Sequence, residues 1–437
     1  MTIIPEISQK IRTVLGTAAA ECAEEAQLVQ RQGGKVNGVN LSQTLVLGWW
    51  QDPEASLEQL CQMGASVGLV LSPQGLDQRF NARTATFLRR LLARVLVERV
   101  GGEKVAVEIL DRFSGVYVQD SSIVTLPAEL RELWPGNGGK GTASTVKLET
   151  QLEMKRGELD GPHLVPGRLH DRCAEQQHAP IETNALQLKD LGYWSLDSLQ
   201  AAAAAGCWWV SRLKLPTMFR VAGTLWTADQ WCLQQQGDTF EVVIELGMYH
   251  RLPARLLGQR VPPDVAAERR RKLKRAAQKR GSTLTRERLR LCDWTLLVTN
   301  APAALIAYDE AFVLMRLRWQ IELLFKLWKS EGKIDKSRSD NVWRRLCEFY
   351  AKLIAMLLQH WLLAVTIWDY ADRSWVKASR TIRQHVIRLA TALDSAAACR
   401  RVLHDLRRIL SRGCRINKSR KQQRTFSLLL ACGDGDA

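Results

Sequence analysis

Residues 185–214 read ALQLKDLGYWSLDSLQAAAAAGCWWVSRLK, and their order decides the fold class. Ala185-Leu186-Gln187-Leu188-Lys189 alternates apolar and polar side chains, the period of a strand with one buried face. Asp190-Leu191-Gly192-Tyr193 closes that strand. Ser195–Ala205 follows as an alanine-rich helix ended by Gly206, since alanine enters a helix at no side-chain entropy cost and glycine suits the terminating turn. Cys207-Trp208-Trp209-Val210-Ser211-Arg212 then reads as another strand. Strand, helix, strand is the texture of a mixed α/β sheet with helices on its faces.

Working outward, Val105–Leu110, Gly115–Asp120, Thr145–Glu149 and Leu152–Met154 alternate in the same period-2 sense. Residues 1–100 look helical and contain a candidate helix-turn-helix. Ser56-Leu57-Glu58-Gln59 opens its first helix. Ser72-Pro73 opens the second, with serine as cap and proline at the first helical position. Gln78 and Arg79 would face outward there, and such side chains read base edges well; two merely packed helices are the plainer alternative. Downstream, 215–300 is a β-rich insertion with a basic block, 301–372 returns to the core, and 373–437 is helical and basic. The expected organisation is therefore an N-terminal helical DNA-binding domain (1–100), a core in two parts (101–214 and 301–372), the insertion, and the C-terminal region.

At 437 residues the chain exceeds what one hydrophobic core usually supports. With 46% hydrophobic and 24% charged residues, disordered and collagen-like classes are excluded. Lys and Arg number 62 against 45 acids, a net +17, which points to a polyanion, nucleic acid before an anionic membrane surface. Between Arg251 and Arg290 alone, 14 Lys or Arg face three acids; phosphate contact and a solvated face are both open for this block. From Arg400 to Arg424 ten basic residues accompany only Asp405, either a DNA clamp or a disordered basic end. The ten cysteines are scattered without a C-x-x-C pair, which argues against a structural zinc or a disulfide framework and suits a reducing cytosol. No secretory signal is read. The apolar run Phe349–Trp368 is broken by Lys352, Gln359 and His360, a buried helix and not a membrane span.

The chemistry concentrates in Glu310–Ser330, EAFVLMRLRWQIELLFKLWKS, read as part of one long amphipathic helix over Asp309–Ser330. On a continuous helix Arg318, Glu322, Lys326 and Lys329 share one stripe. Three cations exceed what pairing one acid requires. The surplus is accounted for if the acid holds a metal and the cations hold phosphates; an ion-pair ladder is the bland alternative.

Arg318, Glu322 and Lys329, spaced Arg-x3-Glu-x6-Lys, resemble the signature of DDE insertion-sequence transposases of the IS-four family, which in full is Tyr-x2-Arg-x3-Glu-x6-Lys. Gln119-Asp120-Ser121-Ser122 resembles that family's first acidic motif, an aspartate leaving a strand. Lys189-Asp190-Leu191-Gly192-Tyr193 resembles its second. The three motifs occur in the family's order across roughly 100–370. Met315 stands where the signature has tyrosine and cannot donate a hydrogen bond to a phosphate, and Tyr308 lies too far along the helix to replace it. Leu191 stands where the family often has a polar or basic residue.

The resemblance implies an RNase-H-like α/β core, a mixed sheet with helices on both faces, interrupted by the β-rich insertion and flanked by helical termini. It implies DNA cleavage at the ends of an insertion sequence and cut-and-paste strand transfer through a hairpin end. Asp120, Asp190 and Glu322 become the catalytic metal ligands for two magnesium ions, with manganese able to substitute. Two cations about 3.5–4 Å apart stabilise the attacking and leaving oxygens of phosphodiester chemistry, and magnesium prefers carboxylate oxygen. Arg318, Lys329 and Lys326 become phosphate contacts, joined by Arg212 and Lys214. Trp294 becomes the platform for a flipped base, with Trp319 packing nearby; because Trp294 opens an apolar strand in a chain with 15 tryptophans, a packed core residue is the alternative. Terminal inverted repeats and target DNA are the implied partners, in a homodimeric synaptic complex located in the bacterial cytoplasm at the nucleoid. An inactive DNA-binding relative and a structure-selective nuclease of the same fold remain alternatives.

Overall fold

The computed structural model describes residues 3–28, 34–139, 142–169, 181–417 and 425–433; Cys173 and the basic residues Lys418 to Arg424 lie outside them. Six helices come first: α1 (Ile3–Val14), α2 (Thr17–Glu25), α3 (Gly38–Gln51), α4 (Leu57–Ser66), α5 (Pro73–Asp77) and α6 (Ala82–Leu96). Side-chain caps set their starts. Ser56 and Gln59 form a reciprocal capping box, the Ser72 hydroxyl accepts from the Gly75 amide, and Asn81 accepts from Arg83 and Thr84. The second helix of the candidate helix-turn-helix thus forms but stops after five residues. A third, longer helix follows it.

Next come α7 (Glu108–Asp111), β1 (Val116–Thr125), β2 (Thr145–Glu153), β3 (Leu159–Pro166), β4 (Leu186–Lys189), α8 (Leu196–Ala204) and β5 (Trp208–Arg212). The strand expected over Val105–Leu110 is instead closed by α7. Ile109 and Leu110 are both buried, which breaks the one-face alternation that Val105 to Glu108 shows. The strand containing Asp120 does not end there but runs on to Thr125. The two short strands expected at 145–154 are one strand, β2, with a register shift between Glu149 and Gln151 that accounts for the broken alternation.

Then follow β6 (Phe219–Val221), β7 (Thr224–Trp226), α9 (Ala228–Leu233), β8 (Thr239–Leu246), β9 (Leu252–Arg260), α10 (Pro263–Lys279), α11 (Arg286–Arg290) and β10 (Trp294–Thr299). Helices complete the chain: α12 (Tyr308–Arg316), α13 (Trp319–Ser330), α14 (Val342–Ile367), α15 (Trp375–Gln384), α16 (Val386–Ala390), α17 (Ala396–Arg412) and α18 (Thr425–Gly433). The helix expected to be continuous over Asp309–Ser330 is therefore two. The break falls at Leu317–Arg318, where the Leu317 amide reaches only to the Leu314 carbonyl, at 2.9 Å, the tightened bond of a terminating turn. Leu317 and Arg318 are both buried.

The chain forms two compact units. The first comprises Met1–Ala106, Asp120–His178 and Gln320–Phe426. Its centre is α14, long and apolar enough to cross a membrane by composition, but with that apolar window wholly buried; α3, α6 and α17 pack against it. β2 and β3 pair antiparallel here, and their connecting turn is pinned to α14. His360 Nε2 lies 2.7 Å from the Gly157 carbonyl, and the Trp368 indole donates to the Met154 carbonyl at 3.0 Å. Gly157 has φ +72°, and a Cβ there would strike the Trp368 ring, so no other residue suits the position.

The second unit comprises Val107–Gln119, Ala179–Trp319 and Ser427–Ala437. The first residues of β1 pair parallel with β4, and β4 pairs parallel with β5 around α8. β5 pairs antiparallel with β10, which continues antiparallel through β9, β8, β6 and β7. This is the mixed α/β sheet expected of an RNase-H-like core. Trp194, Leu199, Trp209, Phe219, Leu246, Leu256 and Val298 fill its core. The nine cysteines among the described residues are free thiols.

Candidate catalytic and DNA-contacting site

In the second unit, Asp190 is the first residue past β4 and the cap of a short 3-10 turn, Leu191–Tyr193, with no side-chain cap bond. Its neighbours are turned inward: Tyr193 and Lys189 are buried, and the Lys189 ammonium donates to the Ser198 hydroxyl. Arg318 Nε lies 3.5 Å from Asp190 Oδ1. The helix break makes that pairing local geometry, because Arg318 sits in the turn and not on a helical stripe. Trp319 begins α13 with 55% of its surface exposed, and the Arg318 guanidinium carbon lies 5.9 Å from its ring centroid.

In the first unit, Asp120 lies on β1, its Oδ1 accepting from the Ser121 amide at 2.8 Å. Glu322 occupies the first turn of α13. Both carboxylates are half-buried. Lys329, on the same helix, donates to the Ile123 carbonyl of β1 at 2.9 Å. It is half-buried, and desolvation pushes its pKa down while Asp335 partly opposes this. Lys326 is exposed, as is Leu323, so Trp319, Leu323 and Lys326 line one open stripe at i, i+4 and i+7. Glu322, Lys326 and Lys329 keep the helical relation expected of them; only Arg318 leaves it. Met315 is buried in α12. Tyr308 is committed elsewhere, its hydroxyl donating to the Gly258 carbonyl at 2.6 Å and pushed up to about 12 by burial.

Trp294 is buried, its ring 5.1 Å from that of Phe240, with the Arg260 guanidinium 4.6 Å over it. It walls a cavity of about 260 Å³ shared with Asp229, Cys232, Arg260, Glu287 and Arg290. Arg212 is exposed and Lys214 half-buried. Arg212 lies close enough to Arg269 to lower its pKa, after desolvation, the larger cause. Arg269, not singled out from the sequence, donates to the Trp294 carbonyl at 2.9 Å and the Thr295 hydroxyl at 3.0 Å. One signal could have found it: Ala266, Arg269, Leu273 and Ala277 fall on a single side of α10. Gln78 and Arg79 are exposed in the turn after α5. Arg79 also lines a cavity of about 490 Å³ with Lys35 and Arg83.

Among the described residues, neither unit taken by itself gathers three His, Cys, Asp or Glu residues around one point. The donor chemistry of the three acids nevertheless suits a divalent cation: each is a half-buried carboxylate on a strand, at a strand end or on a helix, and hard cations prefer oxygen.

Comparison with known proteins gives a consistent result. Residues 111–358 match the family model described as the transposase DDE domain. The chain is 28% identical over 381 residues to the transposase for insertion sequence element IS231F of Bacillus thuringiensis subsp. israelensis, covering 81% of this chain and 79% of the relative. It is 27% identical over 365 residues to the IS231C transposase of Bacillus thuringiensis subsp. berliner, covering 77% and 75%. Against the IS1151 transposase of Clostridium perfringens it is 25% identical over 364 residues, covering 77% and 76%.

Proposed function

Because the chain belongs to the transposase DDE-domain family, and so acts on DNA, we propose that it runs a cut-and-paste reaction with Asp120, Asp190 and Glu322 as its acids. The element's ends are cut, pass through a hairpin, and their 3′ hydroxyls attack target DNA. What chiefly supports this reading is the Arg318–Asp190 pair at the end of β4, which joins the signature arginine to one of the acids.

Asp120, Asp190 and Glu322 would hold two magnesium ions, or manganese in their place. Such ions, when bound, lower the pKa of the attacking water and neutralise charge on the leaving oxygen. The protein's own groups position the strand. Arg318 holds the Asp190 carboxylate in place and adds positive charge where a phosphate would lie. Lys329, anchored to β1, fixes the far end of α13 against the strand bearing Asp120. Lys326, Arg212 and Lys214 grip backbone phosphates without reading sequence. Trp319 offers an open indole face for an unstacked base, and the cavity beside Trp294 receives what is flipped out. Gln78 and Arg79 contact the terminal repeat. Two ends must be joined together, so the working form is a homodimer, at the nucleoid in the cytoplasm.

Nicking and joining of DNA carrying the element's flanking repeats, with magnesium or manganese, tests the reading. Glu322→Gln should lower both by roughly a hundredfold to a thousandfold while leaving DNA binding intact. A second reading, a DNA-binding relative without cleavage, is favoured by Met315, which brings no hydroxyl to the signature's tyrosine position. Binding without nicking by the unaltered protein in either metal would select it. Efficient cleavage without joining would select a structure-selective nuclease.

A further inference from the structure

We propose that the outer face of α17 is a sequence-independent clamp for the phosphate backbone of duplex DNA, separate from the catalytic acids. This rests on the family's DNA partner and not on the assignment of those acids.

The helix divides cleanly. Cys399, Val402, Leu403, Leu406 and Leu410 are buried, facing α1, α14, α15 and α16 of the same unit. At 100° per residue Arg400, Arg401, His404, Arg407, Arg408 and Arg412 all fall within roughly 140° on the opposite side. Arg400, Arg401, His404, Arg408 and Arg412 are exposed. An ordinary solvated face mixes signs. Here the helix carries one acid, Asp405, at the edge of the arc. Its carboxylate is shared between Arg388 and Arg408, each at 2.9 Å, and these arginines hold it below the usual carboxylate range. Among the described residues Arg400, Arg401 and Arg412 form no ion pair.

The face is also held still. Arg373 donates to the Ser411 carbonyl from Nε at 3.0 Å, and Lys377 to the Arg415 carbonyl at 2.8 Å, tying down the helix's C-terminal end. From Arg400 to Arg412 the rise is about 18 Å, which spans about five phosphates of one strand at 3.4 Å each. The cations of the helix are all arginine, whose fork matches phosphate oxygens. A rigid cationic strip of that length, with its single acid already neutralised, is complementary to a duplex backbone.

The test uses the full-length protein in EDTA, so that catalysis plays no part, with two 30-base-pair duplexes as probes, one random and one bearing the element's end. The triple variant Arg400→Gln, Arg401→Gln, Arg412→Gln should bind both more weakly by the same factor. Its slope of log affinity against log salt should fall by about 0.9 per phosphate lost, so by about 2.7 for all three. Between 50 and 200 mM salt the wild type would then lose about 40-fold more affinity than the variant. The matching Arg→Lys triple keeps the charge and should keep the slope. An unchanged slope in the glutamine variant, with an unchanged melting temperature, overturns the proposal. So does a loss confined to the end-bearing duplex. So too does an arginine-dependent affinity for phosphatidylglycerol vesicles with no change on DNA. Loss of nicking in Glu322→Gln leaves all of these readings untouched.

Discussion

Two helices of equal length and similar charge, α10 and α17, are held by opposite means. Each has 17 residues. α17 buries five side chains along one seam, whereas α10 buries only Ala266 and Ala277. What fastens α10 is its own charge. Arg269 donates to the Trp294 carbonyl and the Thr295 hydroxyl, and Arg270 donates to the Leu289 carbonyl at 3.2 Å and pairs with Asp293. Charge density therefore does not say which charges a partner can reach. A helix with an apolar seam can turn every arginine outward; one without must spend some on its own attachment.

Removing the seam should show the largest difference. Leu406→Ala should cost the first unit about 3 kcal/mol, transfer and cavity together. The counterpart Leu273→Ala, at a half-buried position, should cost the second unit less than about 1 kcal/mol. Urea unfolding of the two variants measures both, and equal costs would remove the distinction.

Acid should act on the support of α17. His360 lies on α14, against which α17 packs, and complete burial pushes its pKa down to about 4. The unfolded chain takes up a proton near pH 6.5, the folded one only near 4. The stability this group contributes is thus whole above pH 6.5 and is lost as pH falls toward 4, by about 3 kcal/mol at the limit. Replacing His360 with glutamine should flatten the stability–pH curve of the first unit over that window. A curve as steep as the wild type's would show that other groups carry the acid response.

The smallest effect is expected at α10's own fastening. Arg270→Ala removes a half-exposed ion pair and one carbonyl bond, worth about 1 kcal/mol after screening. Amide hydrogen exchange over 263–290 should quicken while that of α17 stays as it was. Quickening in both would mean the helices are not independently held.

Much of this was legible in the sequence where local chemistry rules. β4, α8 and β5 follow alternation and an alanine run, and the Ser56 and Ser72 caps mark helix starts because the partner amides are three residues away. The buried character of α14 was readable from Lys352, Gln359 and His360 interrupting an apolar run. α7 was misread because a six-residue alternation cannot distinguish a strand from a helical turn when two adjacent residues are buried. The break at Leu317–Arg318 left no mark in composition; it coincides with an arginine side chain reaching Asp190, 128 positions earlier. The partners that cover Trp294 were equally hidden, because Phe240 and Arg260 come from strands paired with each other. Residue types in the candidate site could thus be chosen from the sequence, but their directions could not.

The break between α12 and α13 has an electrostatic result of its own. In an uninterrupted helix from Tyr308, Glu322 would lie in the interior, where peptide dipoles cancel along the axis. Starting afresh at Trp319 puts that acid in an initial turn, where amide groups without helical partners present partial positive charge. An anion is favoured in such a place by roughly 0.3–1 kcal/mol. Two residues of turn therefore give Glu322 a field that its position along the chain would otherwise deny it.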